Sequence, residues 1–220
     1  MDLIVSDEGL VEYGDMLLYQ RSLFSKMVDR KKEGLPIENE YLLLVEHTPV
    51  ITLGKHANIH NLLLPEDILN KQGVKLFHIE RGGDVTYHGP GQLVVYPLID
   101  LEAHHLGVKD YVALLEEAVI RTLAVFGIRG ERVAGASGVW IGAGTSAERK
   151  ICALGVKCSR FVTMHGLALN VTTDLVGFRM INPCGFVDKA VTSMQKELGY
   201  APEMTEVKNC IVSNFKELLS

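Results

Sequence analysis

The chain has no apolar run near the roughly twenty residues that cross a bilayer. The longest are short, such as Tyr41 to Val45, so no membrane association is expected. Its start, MDLIVSDEGLVEYGD, lacks the basic region, apolar core and small-residue cleavage site of a secretory leader, which makes a cytoplasmic location the expectation. Cysteine is sparse as well. Cys152, Cys158, Cys184 and Cys210 show no CxxC spacing and no zinc-type pairing with histidine, which argues against a disulfide framework or a structural metal. His56 and His60 have the spacing of ligands on one helical face, but no HExxH or third ligand accompanies them. No GxxxxGK[ST] loop is present for nucleotide phosphates. Gly142, Gly144 and Ala147 fit GxGxxA after a strand, but the chain returns as a strand where a dinucleotide site would open a helix. No metal and no cofactor is therefore expected. Positive charge is in deficit too: a formal charge of −5 disfavours a general nucleic-acid binder. The deficit is uneven. Between Arg129 and Arg160 six basic residues face only Glu131 and Glu148, a local +4 that leaves −9 elsewhere and offers a place for an acidic partner to dock.

With 220 residues, 47% of them hydrophobic and 22% charged, the chain suits one substantial soluble domain spanning 1–220. Tyr13, Met16, Leu17, Gln20, Leu23, Phe24, Met27 and Val28 recur at three and four residues and predict a helix ending before Gly34. YLLLVEH, VITLG, VKLFHIE, DVTYH and QLVVYPLIDL read as strands, with a short helix opened by Pro65. A second strong helix carries Tyr111, Leu115, Val119 and Leu123 and closes at Gly127. GVWIG, KICALGVKCS and FVTMHGLALNV predict an antiparallel meander. Thr192 and Gln195 fit a capping box for a short helix, and Val207, Ile211, Phe215 and Leu218 stripe the last one. The expected class is α+β, a mixed, largely antiparallel sheet with packed helices.

Chemistry concentrates in a few places. RGGDVTYHGPGQ, Arg81 to Gln92, crowds four glycines, an arginine and a histidine between two strands, as a loop wrapped around a ligand would. Cys184, in INPCG, is expected on a turn because Pro183 and Gly185 flank it, which would expose its thiol, whereas Cys152 and Cys158 fall in an expected strand and Cys210 beside a helix stripe. A thiol with a pKa near 8.5 needs a base or a positive charge nearby. Lys150, leading the apolar strand ICALGV, is one candidate. His88 and His165, each followed by glycine, are others, although packing and substrate positioning suit them better. Small residues in Ala153, Leu154, Gly155 and in Gly166, Leu167, Ala168 leave a slot on adjacent strands.

Taken in order, RGGDVTYHGPGQ, GVWIG, RKICALGVK, HGLALNV and INPCG resemble the lipoyl(octanoyl) transferase family, across about half the chain. The resemblance implies the fold of the biotin and lipoate protein ligases. It implies an acyltransferase that moves an octanoyl group from octanoyl-acyl carrier protein to a lysine of lipoyl domains, those of 2-oxoacid dehydrogenases and the glycine cleavage H protein, through a cysteine thioester. It also implies that Cys184 pairs with Lys150. Arg81, Gly82, Gly83, Asp84, Val85, Thr86, Tyr87 and His88 would then line the acyl site together with the two small-residue triplets, and His165 would position substrate. An ATP-dependent lipoate or biotin ligase, a cysteine hydrolase using a histidine, and a non-enzymatic lipoyl-binding module remain alternatives at this point.

Overall fold

In the computed structural model, which describes residues 2–182 and 190–220, most stretches follow their local pattern. The chain opens with β1 (Asp2–Val11) and α1 (Tyr13–Lys32), whose first turn is capped by the Glu12 carboxylate accepting from the Gly14 and Asp15 amides. The residues of α1 that are buried are the eight of the predicted stripe. Next come β2 (Asn39–His47), β3 (Val50–Leu53), α2 (Glu66–Lys71), β4 (Lys75–His78), β5 (Val85–His88) and β6 (Gln92–Leu98). Helix α3 (Val108–Val125) leads to β7 (Glu131–Val133), β8 (Ala136–Ile141), β9 (Arg149–Ser159) and β10 (Val162–Asn170). A 3-10 turn at Leu175–Met180, β11 (Ala190–Val191), α4 (Met194–Leu198) and α5 (Met204–Leu219) complete the described order.

The strands form a main sheet in the order β1-β2-β6-β10-β9-β8-β7, with β11 beside β9, and a small sheet β4-β3-β5. The pairs β1–β2, β3–β4 and β9–β11 are parallel and the rest antiparallel, so the sheet is mixed as expected. Because side chains alternate along a strand, Leu42, Leu44, Leu93, Val95, Leu167 and Leu169 enter one apolar core, shared with α3 and α5. Leu43, Val45, Val94, Tyr96 and Ala168 enter another, beneath α1. The runs read as continuously hydrophobic because both faces of these strands are covered. Each fully buried leucine here stabilises the fold by about 1.5–3 kcal/mol over its exposed state. Among the described residues no helix is long and apolar enough to cross a membrane.

Two corrections apply to the sequence reading. Ser193, not Thr192, caps α4 by accepting from the Lys196 amide, while the Thr192 hydroxyl donates to Glu197. β1 and β7 were not anticipated. Both are edge strands with polar, partly exposed residues, the pattern that blunts an open edge and also erases the apolar signature of a strand.

Candidate active site

A cavity of about 100 Å³ lies on the α1 face of the main sheet, where β9 and β10 meet β5 and the loop before it. Its walls are mainly apolar. The loop is seated on β9 by a hydrogen bond from the Gly82 amide to the Val156 carbonyl, 3.0 Å long. Gly155 makes that approach possible, since a β-carbon there would stand 2.8 Å from the Gly82 carbonyl oxygen and 2.9 Å from Arg81 Cδ. Gly166 performs the same service for β10 against β6, where a β-carbon would meet the Val95 carbonyl oxygen at 2.1 Å. Both glycines are thus required by packing as well as by the slot they line. Arg81 is 8% exposed, and its fork is partly engaged within the protein. Nη2 donates to the Thr52 carbonyl and hydroxyl, both at 2.9 Å, and Nη1 to the Gly82 carbonyl at 3.0 Å. Asp84 fastens the other side of the loop by accepting from the Asn58 amide and the Asn61 side chain.

The state of His88 follows from its neighbours. The Thr192 carbonyl can only accept, so Asn170 presents Nδ2 to it at 3.0 Å and offers its oxygen to Gln92 Nε2 at 2.9 Å. Gln92 Nε2 also reaches the Tyr87 carbonyl at 3.2 Å, which leaves Gln92 Oε1 to accept from His88 Nδ1 at 2.7 Å. Neutral His88 therefore carries its proton on Nδ1 and keeps Nε2 as an acceptor. Burial, aided by the neighbouring His47, holds its pKa at about 3. His165 is likewise buried, at 2% exposure, and burial lowers its pKa to about 3. Its backbone has φ of 63°, a conformation uncommon outside glycine, and among the described residues neither ring nitrogen has a hydrogen-bond partner. Two imidazoles that resist protonation to this degree are poor general bases near neutrality.

Lys150 enters the cavity wall from the second residue of β9. Its Nζ lies 4.5 Å from the centroid of the Trp140 ring and donates to the Ser137 carbonyl at 3.2 Å. The strand ordering that brings β8 and β11 to either flank of Arg149 and Lys150 sets this position. Cys184 lies outside the described residues. Of the other thiols, Cys152 is fully buried and burial drives its pKa far above the ordinary thiol range, while Cys158 is shifted the same way in a half-buried position. Neither has the setting of a nucleophile.

Lys150, Arg81, Gly83, Asp84, Val85, Thr86, His88, Ala153, Leu154, Gly155, His165, Gly166, Leu167 and Ala168 all border the cavity. Gly82 and Tyr87 do not figure in its lining. Gly82 supplies the backbone contact to β9, and the Tyr87 ring turns away into the small core, 5.4 Å from the Phe178 ring. The sequence reading missed Tyr13, Gln92, Tyr96, Trp140, Asn170 and Phe178. Trp140, in GVWIG, was the one within reach of inspection as the only tryptophan in the chain. His56 and His60 are exposed, and no group of three or more metal-ligating side chains occurs among the described residues. The basic segment proves largely self-paired: Arg132 bridges Glu116 and Glu117, Arg149 bridges Glu197, Arg129 bridges Glu131 and Lys157 bridges Glu80.

A family model described as "Lipoyl protein ligase A/B catalytic domain" matches residues 12–216. The chain is 49% identical to a protein of Parabacteroides distasonis named Octanoyltransferase, over 97% of each. It is 51% identical to one of the same name from Bacteroides fragilis, over 94% of each. Among solved structures it is similar to a bi-partite lipoate protein ligase from Thermoplasma acidophilum, with a TM-score of 0.68 and 18% identity, covering 99% of this chain and 82% of that one. A lipoate-protein ligase A bound with ATP gives a TM-score of 0.69 at 16% identity, over 99% of this chain and 85% of that one. At such identities these two structures speak for the fold.

Proposed function

Because the chain belongs to the lipoyl protein ligase A/B catalytic domain family, we propose that it is an octanoyltransferase, moving an octanoyl group onto a lysine of lipoyl domains in lipoate biosynthesis. The donor in this reading is octanoyl-acyl carrier protein, and the acceptors include the lipoyl domains of 2-oxoacid dehydrogenases and the glycine cleavage H protein. The observation that carries the reading is the mainly apolar cavity walled by the two small-residue strands, with a lysine amine at its border. It offers an acyl chain an apolar seat with an amine beside it.

In the mechanism, Lys150 accepts the thiol proton of Cys184, and the thiolate adds to the thioester carbonyl of the donor. Collapse of the tetrahedral intermediate breaks the carbon–sulfur bond to the carrier arm, whose sulfur leaves with that proton. The acceptor lysine amine then attacks the Cys184 thioester. The new carbon–nitrogen bond replaces the carbon–sulfur bond, and Lys150 takes the amine proton and returns it to the departing cysteine. The thioester energy is preserved in the intermediate, so no ATP is needed. His88 Nε2 and the two ring nitrogens of His165 serve as polar positions for the head of the substrate in an otherwise apolar pocket. Their low pKa values suit this role better than proton transfer.

The test is intact mass after mixing the enzyme with octanoyl-acyl carrier protein without ATP. One octanoyl adduct on the enzyme, lost when Cys184 is replaced by serine, is the expected result. Labelling of the acceptor only when free octanoate and ATP are supplied would overturn it in favour of a ligase.

A further inference from the structure

We propose that Glu116, on α3, is a positioning residue for the reaction, acting on Lys150 through the peptide unit that joins Ser137 to Gly138. The inference rests on the role given to Lys150 above. Glu116 is 8% exposed, and its carboxylate is divided between two donors. Oε1 accepts from the Gly138 amide at 3.0 Å and Oε2 from Arg132 Nε at 3.1 Å. The other face of the same peptide is the Ser137 carbonyl that accepts from Lys150 Nζ at 3.2 Å. A trans peptide is planar with its N–H and C=O pointing in opposite directions, so fixing one end aims the other.

The backbone is built for this arrangement. Gly138 has φ of 120°, where side-chain-bearing residues rarely go, and a β-carbon on it would stand 2.5 Å from the Cys152 carbonyl oxygen and 3.4 Å from Lys150 Cε. Arg132 is itself held by Glu117 at 2.9 Å and the Ala113 carbonyl at 3.0 Å, so Glu116 is braced from behind rather than free to swing. The Trp140 ring holds Lys150 Nζ from another direction, at 4.5 Å, so ring and oriented carbonyl restrain the amine from two sides.

Two conservative variants separate reach from charge. Glu116→Gln keeps one acceptor oxygen within reach of the Gly138 amide and gives up the one that accepts from Arg132, whereas Glu116→Asp keeps the charge but withdraws it by one methylene. With a small octanoyl thioester as donor, Glu116→Asp is expected to lower kcat about tenfold or more with little change in KM, because the hydrogen bond that aims the Ser137 carbonyl at Lys150 is lost. Glu116→Gln should retain most of the turnover. The Gly138 amide proton should move upfield in the aspartate variant and stay near its wild-type shift in the glutamine variant, a readout independent of activity. Wild-type kcat in Glu116→Asp, or equal losses in both variants, would overturn the proposal. Lys150→Ala is run beside them. If it keeps full turnover, the role of Lys150 fails; if it is impaired while Glu116→Asp is not, only the positioning role fails.

Discussion

Three buried neutral histidines make this fold sensitive to mild acid, and His165 offers the sharpest test. Burial lowers the pKa to about 4 for His47 and about 3 for His88 and His165. In the unfolded chain each returns to about 6.5. Below that value the unfolded state binds more protons than the folded one, so stability is retained above about pH 6.5 and declines as pH falls toward the folded pKa values. At pH 5 each histidine costs about 2 kcal/mol relative to pH 7, and the three together about 5–6 kcal/mol. That is comparable with the whole stability of an ordinary domain, about 5–15 kcal/mol. Glu80, whose pKa is held at about 2 by Arg21 and Lys157 against the opposing effect of burial, keeps its stabilising contribution above the ordinary carboxylate range and loses it only as pH falls through that range toward 2, which leaves this window clear. The perturbation is His165→Asn, since asparagine tolerates positive φ better than most residues and does not titrate. Urea unfolding at pH 7 and pH 5 should show the wild type losing about 2 kcal/mol more than the variant between the two. Identical losses would refute the account, because His165 would then be as protonatable folded as unfolded.

Replacing Lys150 by alanine should leave the protein folded and slow formation of the acyl-enzyme by about 10² or more, as loss of a general base commonly does; an unchanged rate at pH 7 would remove Lys150 from the mechanism. Cys184→Ser should lose the octanoyl adduct seen by intact mass, while Cys152→Ser keeps it, and a stable adduct on Cys152 would contradict its burial and raised pKa. Gly155→Ala should lift the Arg81 loop off β9, costing about 1–3 kcal/mol of stability in chemical denaturation and raising KM for a small octanoyl thioester; a wild-type midpoint would show that the loop yields freely. Neutralising Arg132 and Arg149 should change KM for the carrier protein little at constant salt, because both are committed to internal carboxylates; a large rise in KM for the carrier protein alone would show that they also meet the partner.

Local pattern alone determined much of this protein. The stripe from Tyr13 to Val28 settled α1, because helical periodicity and burial on one face are the same fact seen twice. The meander of β8, β9 and β10 was legible for a like reason, since short β-rich runs joined by turn residues have few other ways to pair. The residue types of the site, a lysine leading an apolar strand and a glycine-rich loop with a histidine, were also apparent, and fourteen of the named positions border the cavity. What sequence could not supply was direction. β2 and β3 follow one another across a two-residue turn yet belong to different sheets, a separation made by long-range pairing with β6 and β5. Tyr87 sits between two cavity residues and faces the other way, since successive residues of a strand point to opposite sides. Arg132 reads as a free surface charge until α3 brings Glu116 and Glu117 against it. The proton of His88 is assigned only through Gln92, Asn170 and Thr192, residues separated by up to about a hundred positions and joined by the sheet. Periodicity fixes which side of an element is apolar; only the packed structure decides which polar groups meet, and hence which charges, tautomers and amines are held ready for chemistry.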